Sequence, residues 1–303
     1  MNKEKLEVFY NKNYKTLMII PIVIFLIAVG FLFFKYYSTG EFIAKDVGLS
    51  GGVTATVATD KEVDIDQIES LLSEKLGGNV NARRLEEFGT GRQVGIIVEA
   101  GKITGDLDSG SVRLKEELGN YLGIELDEEN YSSETVGSGL GQSFTSQLIR
   151  AVIFAFILMS IVVFITFRTF APSLAVISAA LMDIVIALAV VSAAGMVLTA
   201  AGIAAFLLVI GYSVDTDILL TTRALKRKGE GKLFDRMFES MKTGLTMTAA
   251  TLVALLVGYF VSSSFIIKQM FLIIFIALVV DIFSTYLTNS GILKRYCDKK
   301  GIT

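Results

Sequence analysis

The sequence predicts an α-helical membrane protein that crosses the bilayer six times and carries one small α+β domain outside it. Apolar runs of about 18 or more residues recur along the chain, and a helix of this length spans a hydrocarbon core about 30 Å thick. The runs are residues 17–34, 148–167, 173–195, 196–220, 243–262 and 265–288. A polar stretch separates the first run from the second, and its length of roughly a hundred residues is enough for a separate domain.

The first apolar run follows a lysine-rich start, which is also typical of a signal peptide. The run is longer than the usual apolar region of a signal peptide, and it lacks a convincing small-x-small cleavage site. We therefore expect an uncleaved membrane helix at residues 17–37, after an N-terminal segment of residues 1–16.

Lysine and arginine in the short loops indicate the orientation, because cytoplasmic loops carry an excess of these residues. The N-terminal segment has four, residues 223–242 have seven and the tail after Ile292 has four, whereas the turns on the other side hold only Lys268. We therefore expect a multi-pass protein of the cell membrane with both termini in the cytoplasm. The predicted organisation continues with an extracytoplasmic domain at 38–146, a five-helix bundle at 147–290 and a cytoplasmic tail at 291–303.

The segment outside the membrane holds twenty of the thirty carboxylates of the chain, and its apolar pattern changes between the strand and the helix period. We predict strands at 53–58, 80–88, 93–99 and 131–136, helices at 65–76 and 107–122, a helix cap at Asp64 or Asp66, and a hairpin turn at Gly89, Thr90 and Gly91. The order βαββαβ predicts a ferredoxin-like (split βαβ) domain, and the alternative is an irregular acidic loop. The glycine-rich residues 137–141 predict a hinge into the second span.

The composition argues against most enzyme classes. There is no histidine, which removes the usual metal ligand and the usual general base near neutral pH. The only cysteine is Cys297, so neither a disulfide framework nor a zinc cluster is expected. The net charge of −2 argues against a nucleic-acid partner. We expect no enzymatic activity, no metal and no cofactor.

Four carboxylates fall inside the predicted spans, where ionisable groups are costly and are functional by default. Asp183 lies in the third span, Asp281 in the sixth, and Asp215 and Asp217 in the fourth. At about 100° per residue, the last two are some 200° apart and cannot share one helix face. We expect Asp215 to point into the bundle and Asp217 to face a cavity or the cytoplasmic interface.

The fifth span begins at Lys242 and carries Thr243, Thr246, Thr248 and Thr251. These hydroxyls either bind a buried carboxylate and line a hydrated path, or bond their own helix backbone and support helix packing. A carboxylate that gains and loses a proton beside a basic residue is a simple switch, because protonation removes the charge that holds the pair together. We predict that Asp215 is the main ion-responsive acid, assisted by Asp183, with Lys242 either as its charge partner or as a topology determinant only.

Several segments carry a recognisable combination of residues. They are GYSVDTDILLTTR at 211–223, LMD at 181–183, KTGLTMT at 242–248, VDIFSTYLTN at 280–289 and the glycine pair Gly51-Gly52 after the first span. Together they resemble the SecF family of protein-export membrane proteins in its archaeal form. The likeness covers nearly the whole chain, including the layout of one span, one domain and five spans.

The resemblance implies an RND-like six-helix unit that pairs with a SecD-like subunit, associates with the Sec translocon and promotes the export of a translocating polypeptide. It further implies a membrane-lipid environment and coupling to a proton or sodium gradient. The candidates for ion coupling are Asp215, Asp183, Asp217, Lys242 and Asp281. The chain departs from the bacterial pattern at Asp215-Thr216, where asparagine and aspartate are usual, at Lys242, where arginine is expected, and at Met182, where histidine is common.

Two other classes are compatible with intramembrane aspartates. An RND-type exporter of small molecules or lipids shares the fold, but it normally carries two such halves and larger outer domains. An intramembrane aspartyl protease uses two membrane aspartates as a dyad, but it requires a glycine-x-glycine-aspartate motif that Ser213-Val214-Asp215 does not supply.

Overall fold

The computed structural model describes residues 3–86, 92–101, 107–227, 229, 231–262 and 264–302. In chain order the elements are α1 (Lys3–Thr39), α2 (Val47–Ser50), β1 (Gly52–Ala58), α3 (Ile65–Leu76), β2 (Asn79–Glu86), β3 (Gln93–Gly101), α4 (Leu107–Leu122), β4 (Tyr131–Val136), α5 (Ser138–Phe167), α6 (Phe170–Ala193), α7 (Ala200–Lys226), α8 (Leu233–Val261), α9 (Phe265–Phe283), a π-helical segment (Ser284–Asn289) and α10 (Ser290–Lys300).

Within these ranges, six helices are long and apolar enough to cross a membrane: α1, α5, α6, α7, α8 and the helix that runs without a break from α9 into α10. The predicted number of spans is confirmed, and the chain is a multi-pass membrane protein. The sixth helix is longer than predicted, because it continues through the π-helical segment to Lys300.

Helix α7 lies at the centre of the bundle and packs against α5, α6, α8 and α9. Its first turn is fixed by side-chain hydrogen bonds from two directions. The Thr199 hydroxyl accepts from the Gly202 amide at 3.1 Å and donates to Oε1 of Gln269 on α9 at 2.5 Å. The Gln269 amide in turn donates to the Val197 carbonyl at 2.5 Å. A glycine is required at position 202, since a Cβ there would lie 2.7 Å from Leu198 and 3.1 Å from Ile273.

The segment between α1 and α5 is a folded α+β domain. Its four strands form one antiparallel sheet in the order β2-β3-β1-β4, so the alternative of an irregular acidic loop is wrong. The bounds predicted for both helices and for the last strand are those observed, and Asp64 caps α3 by accepting from the Gln67 amide at 3.2 Å. The predicted turn at 89–91 lies outside the described residues, and the ferredoxin-like classification stays a prediction.

This outer domain has a hydrophobic core of its own. One face of the sheet packs against α3 and α4 through fully or almost fully buried side chains: Val53, Ala55, Val57, Ile68, Leu72, Leu76, Ile96, Val98, Ala100, Leu114, Leu118 and Leu122. Because none of these side chains belongs to a membrane helix, we expect the core to form without the bundle.

The hinge predicted at 137–141 is wrong, because α5 begins at Ser138 and its first turns pack against the base of the outer domain. Gly51 and Gly141 permit this approach. A Cβ at Gly51 would overlap the Ser138 backbone, and one at Gly141 would lie 2.7 Å from the Gly51 amide nitrogen. Below this contact, the Thr145 hydroxyl donates to the Leu49 carbonyl at 2.8 Å.

Backbone hydrogen bonds also join the outer domain to the connection between α6 and α7. The Leu198 amide donates to the Ala44 carbonyl at 2.8 Å, and the Asp46 amide donates to the Leu198 carbonyl at 3.1 Å. The hydroxyl of Ser192, at the end of α6, donates to the Phe42 carbonyl at 2.7 Å. The outer domain is therefore tied to α5, α6 and α7 at its base.

An acidic pair lies where the sheet meets the bundle. Burial, together with the nearby Glu99 carboxylate, raises the pKa of Asp46 to about 6. Glu99 itself is paired with Arg83 at 2.6 Å, and the Arg83 guanidinium lies 4.5 Å from the ring centre of Phe265 at the start of α9. Arg83 thus connects the sheet to a fourth membrane helix.

The outer domain is expected to fold without the membrane helices. Residues 52–137 produced alone should give a soluble monomer with mixed helix and strand circular dichroism and a cooperative unfolding transition. Leu114→Ala should lower the free energy of unfolding of this fragment by about 2 to 5 kcal/mol, because it opens a cavity in the core, whereas the exposed Val112→Ala should change it little. A random-coil spectrum of the fragment would disprove the independence of this core.

Candidate functional site

Three aspartates meet inside the bundle, each on a different helix. Asp183 of α6 and Asp217 of α7 are 0% exposed, and Asp281 of α9 is 1% exposed. Hydroxyl side chains from α7 and the π-helical segment surround them. We call these three side chains the carboxylate cluster.

Asp183 accepts one hydroxyl hydrogen bond on each of its oxygens. Ser213 of α7 donates to Oδ2 at 2.5 Å, and Ser284 of the π-helical segment donates to Oδ1. Both carboxylate oxygens are therefore satisfied, and the bonds connect α6 to two neighbouring helices.

Asp217 and Asp281 share one donor. The Thr285 hydroxyl lies 2.9 Å from Oδ1 of Asp217 and 3.0 Å from Oδ1 of Asp281. A hydroxyl has a single hydrogen, so Thr285 serves only one of these carboxylates at a time. Asn289 donates to Oδ1 of Asp217 at 2.6 Å. The Thr216 hydroxyl lies 3.1 Å from Oδ2 of Asp281 and 2.8 Å from the carbonyl oxygen of Ser213.

The carboxylate cluster has no basic partner within the described ranges, because no lysine or arginine there forms an ion pair with any of its three members. The described residues also contain no group of three or more histidine, cysteine, aspartate or glutamate side chains placed to ligate one metal ion together. The atoms that the cluster offers are carboxylate, hydroxyl and amide oxygens, which suit a proton or a hard cation rather than a transition metal.

Asp183 and Asp281, which were predicted to lie within the third and sixth spans, are buried there, but the prediction that Asp215 points inwards is wrong. Asp217 is the buried residue, and Asp215 is exposed on the opposite face of α7. The inner face of α7 runs through Gly202, Phe206, Val209, Ser213, Thr216 and Leu220, at helical spacing. Asp217 continues that face, whereas Asp215 shares its face with the exposed Leu208 and Tyr212. The helical spacing of the apolar and small residues of α7 is the sequence signal that distinguishes Asp217 from Asp215.

Lys242 does not reach the carboxylate cluster. It is exposed, and its ammonium lies 5.0 Å from the ring centre of Phe238 on its own helix. No ion pair joins it to Asp215, although the structure describes both residues. Three of the four threonines of α8 donate to carbonyls of their own helix: Thr243, Thr246 and Thr251. For these three threonines, the alternative that the hydroxyl bonds to its own helix backbone is therefore correct.

The prediction from sequence did not assign the hydroxyl and amide partners of the carboxylate cluster. Ser284, Thr285 and Asn289 follow Asp281 within eight residues, in an otherwise apolar helix. A run of polar residues at bilayer depth is a usable signal, because such residues normally face the interior of a bundle.

Residues 120–299 match the family model of the C-terminal region of the protein-export membrane proteins SecD and SecF. The protein-export membrane protein SecF of Methanocaldococcus jannaschii is 38% identical over 292 residues, which cover 94% of this chain and 96% of that protein. The chain belongs to the SecF family. The SecF protein of Pyrococcus furiosus is 34% identical over 298 residues, covering 98% of this chain and 96% of the relative.

The fold is also that of a solved SecDF structure. The crystal structure of SecDF from Thermus thermophilus, described as a translocon-associated membrane protein, matches with a TM-score of 0.71 at 18% identity. The match covers 94% of this chain and 38% of the SecDF chain. This chain therefore corresponds in fold to a part of that larger protein.

Proposed function

We propose that this chain is the SecF subunit of a SecD–SecF complex, which promotes Sec-dependent protein export across the cell membrane and is driven by an ion gradient. Family membership supports the role in export. The observation that supports ion coupling is the carboxylate cluster, in which Thr285 lies within hydrogen-bond distance of both Asp217 and Asp281 and no basic side chain of the described residues pairs with any member.

Ion binding changes the charge of this cluster. Three ionised carboxylates side by side repel one another. Each costs several kcal/mol to hold ionised at bilayer depth without a basic side chain to pair with it. A proton or an alkali cation bound at Asp217 or Asp281 relieves the repulsion, and its release restores it. Because Thr285 has one hydrogen to donate, its bond moves to the carboxylate that stays ionised, so an event at α7 alters the contacts of the sixth helix.

The base of the outer domain supplies a route from these helices to the polypeptide. Leu198, just before α7, exchanges backbone hydrogen bonds with Ala44 and Asp46, and Arg83 contacts Phe265 at the start of α9. A shift of α7 against α9 therefore acts on two different points of the outer domain. We infer that this domain meets the translocating polypeptide beside the Sec translocon.

The exposed face of α7 is the proposed docking surface for SecD. Leu208, Gly211, Tyr212 and Asp215 form this face, and Asp215 lies near the middle of a 27-residue membrane helix. A carboxylate at this depth is costly to place against lipid. A second six-helix unit that supplies a basic or hydroxyl side chain would cover it, and lipid would surround the remaining outer faces.

We infer that both termini lie in the cytoplasm and that the outer domain lies on the opposite side. Lysine and arginine support this orientation, since eleven of them fall in residues 223–242 and in the tail after Ile292. The Tyr10 hydroxyl donates to the Ser290 hydroxyl at 3.1 Å, which places the start of α1 beside α10. We call this end of the bundle the terminal end.

Recovery of the complex on a tagged SecD-like chain, together with stimulation of export in vesicles, tests the proposed function. Gly211→Leu should reduce recovery at least about tenfold and leave the isolated chain folded, because a Cβ at Gly211 meets nothing within 4 Å while the larger side chain blocks a close helix–helix contact in the membrane. Gly202→Leu is the contrasting variant. It should destabilise the isolated chain itself, since position 202 faces Leu198, Gln269 and Ile273. Parental recovery of Gly211→Leu would rule out this docking face, and absence of any complex or stimulation with the parent chain would rule out the function.

A further inference from the structure

An apolar groove opens at the end of the bundle opposite the terminal end, directly beneath the outer domain. Its cavity has a volume of about 340 Å³. Tyr36, near the end of α1, forms one wall, and Ile149 and Ile153 of α5 form the other. Helix α6 packs against both α1 and α5 and, together with α7, supplies the floor through Ile184 and Phe206. None of the described residues that line the groove belongs to the carboxylate cluster or to the proposed docking surface for SecD, so the groove is a separate feature of the molecule.

The groove runs from the membrane surface into the hydrocarbon core. Ala193, the last residue of α6, lies beside the base of the outer domain, and Ile184 lies nine residues before it. At a rise of 1.5 Å per residue, this separation is about 14 Å, which is roughly half of a hydrocarbon core about 30 Å thick. The wall on α5 faces outwards, since Ile149 and Ile153 are 48% and 52% exposed. The groove is therefore as deep as one leaflet and open to the lipid around the bundle.

Residues 40–45, which we call the strap, cover the groove at the membrane surface. The strap is held in place from two sides. Its Phe42 and Ala44 carbonyls accept hydrogen bonds from the Ser192 hydroxyl and the Leu198 amide. The Phe42 ring stacks on Tyr36 of α1, with the ring centres 4.7 Å apart. The groove is therefore formed before any ligand arrives, and a preformed site loses little free energy to ordering when it binds.

The size of the groove decides which kind of apolar group can fill it. One turn of an α-helix is 5.4 Å long and about 10 Å across, so it occupies roughly 400 Å³. The cavity of about 340 Å³ is smaller than this single turn, although it extends over the depth of one leaflet. A membrane helix of another subunit is therefore too wide to enter it, whereas a single hydrocarbon chain is narrow enough and long enough.

The end of the groove at the membrane surface carries charge. Glu41 and Lys45 of the strap are the charged side chains among the described residues that line it, and the Lys45 ammonium lies 3.7 Å from the Glu41 carboxylate. Both side chains are 30% exposed, and a partly exposed ion pair of this length is weak. A phosphate can therefore compete for the ammonium, since lysine commonly binds phosphate as a point charge. An apolar groove of this depth with a cation at its outer end has the polarity of a phospholipid.

We propose that the groove binds one chain of a phospholipid from the surrounding bilayer, with the lipid phosphate at Lys45. Lipid chains elsewhere in the bilayer are as apolar as the lining, so the preference for this site comes from the fit of one chain to a preformed groove and from the phosphate contact. An unfilled groove would forfeit the dispersion contacts of its lining. The bound lipid lies directly under the strap and so supports the connection between the outer domain and the bundle. The proposal does not depend on the proposed function in export.

Retention of lipid by the full-length chain tests this proposal. The purified chain is stripped of lipid in mild detergent, supplied with phosphatidylglycerol and analysed by native mass spectrometry, and we expect the parent to retain one lipid molecule. Ile149→Trp should lower the retained fraction at least about tenfold, because the larger ring takes the space of the chain. Ile161→Trp is the matched control. It makes the same change on the same helix at a residue of equal exposure, 49% against 48%, outside the groove, and it should retain lipid as the parent does.

The phosphate contact is tested separately with Lys45→Gln. This variant should lower the retention of phosphatidylglycerol roughly two- to fivefold, the effect expected of a partly exposed charged contact, and it should leave the retention of diacylglycerol, which has no phosphate, unchanged. Equal loss of both lipids, or of neither, would overturn the assignment of the phosphate to Lys45.

Three results would overturn the lipid site itself. They are a parent that retains no lipid, an Ile149→Trp variant that retains as much as the parent, and an Ile149→Trp variant that loses recovery on a tagged SecD-like chain while its lipid retention is unchanged. The last result would assign the groove to a protein partner. Size-exclusion profiles identical to that of the parent establish that the variants are folded, and Ile153→Trp serves if Ile149→Trp is not. Because lipid retention is measured without SecD and without export, failure of this proposal would leave the proposed function standing.

Discussion

Replacing Asp217 by asparagine is expected to abolish ion-driven stimulation of export while leaving folding and SecD association intact. Asparagine has the shape of aspartate, and its carbonyl oxygen still accepts from Thr285 and Asn289. The variant cannot, however, gain or lose a proton, and it holds a cation weakly. Export in vesicles that contain the translocon, the SecD-like subunit and the variant should fall to the level measured without this chain.

Asp215→Asn is the matched control, since it makes the same change on the same helix two residues away. Because Asp215 lies outside the carboxylate cluster, less SecD should be recovered with this variant, but the complex that is recovered should still stimulate export in a gradient-dependent way. Both variants need to be measured over a range of pH and sodium concentration. If Asp217→Asn supports export as well as the parent under all these conditions, the carboxylate is structural and ion coupling through it is excluded.

Gly51→Ala is expected to disrupt the junction between the outer domain and α5. Gly51 has φ 85° and ψ 155°, a backbone region that is essentially restricted to glycine and costs other residues about 1 to 3 kcal/mol. The added methyl group would also overlap the Ser138 backbone, which cannot move without displacing α5. We expect the purified full-length variant to show a protease-sensitive bond near residue 137 and to lose stimulation of export, even though the core of the outer domain is untouched.

Gly48→Ala provides the comparison for Gly51→Ala. A Cβ at position 48 would meet the Asp46 carboxylate at 3.5 Å, which is an ordinary contact, and the backbone there is helical. Limited proteolysis of this variant should match that of the parent. A parental proteolysis pattern for Gly51→Ala would show that the junction tolerates a side chain and that the outer domain does not depend on this contact for its position.

The spans and the outer domain could be predicted from sequence because both depend on patterns that neighbouring residues share. Six apolar runs long enough to cross the bilayer leave little freedom in the number of helices. In the outer domain, Asp64 and the apolar spacing after it determine where α3 begins. The prediction of a hinge at 137–141 was wrong because glycine occurs both in flexible connections and where two backbones pack closely together. At Gly141 it permits close packing against Gly51, and the backbone remains helical.

The carboxylate cluster could be predicted only in part, because it depends on the rotation of each helix and on contacts between helices. Asp183 and Asp281 could be identified as candidates because both lie well inside predicted membrane spans. Choosing between Asp215 and Asp217 required the inner face of α7, which the apolar spacing indicates only when the whole helix is considered. The partners Ser284, Thr285 and Asn289 lie in a π-helical segment, where the regular α-helical period used for prediction does not apply.

The number of residues in the π-helical segment determines which side chains of the rest of the sixth helix face the interior of the bundle. A turn of this kind accommodates one residue more than an α-helical turn, and each residue of an α-helix rotates the chain by about 100°. Removing one residue from 284–289 would restore a uniform helix and swing everything after it through roughly that angle. Leu293 and Cys297, which are fully buried against α7 and α8, would then face the surroundings of the bundle. Residue identity can vary in this segment more readily than residue number, so relatives that differ widely in sequence here are expected to align across it without gaps.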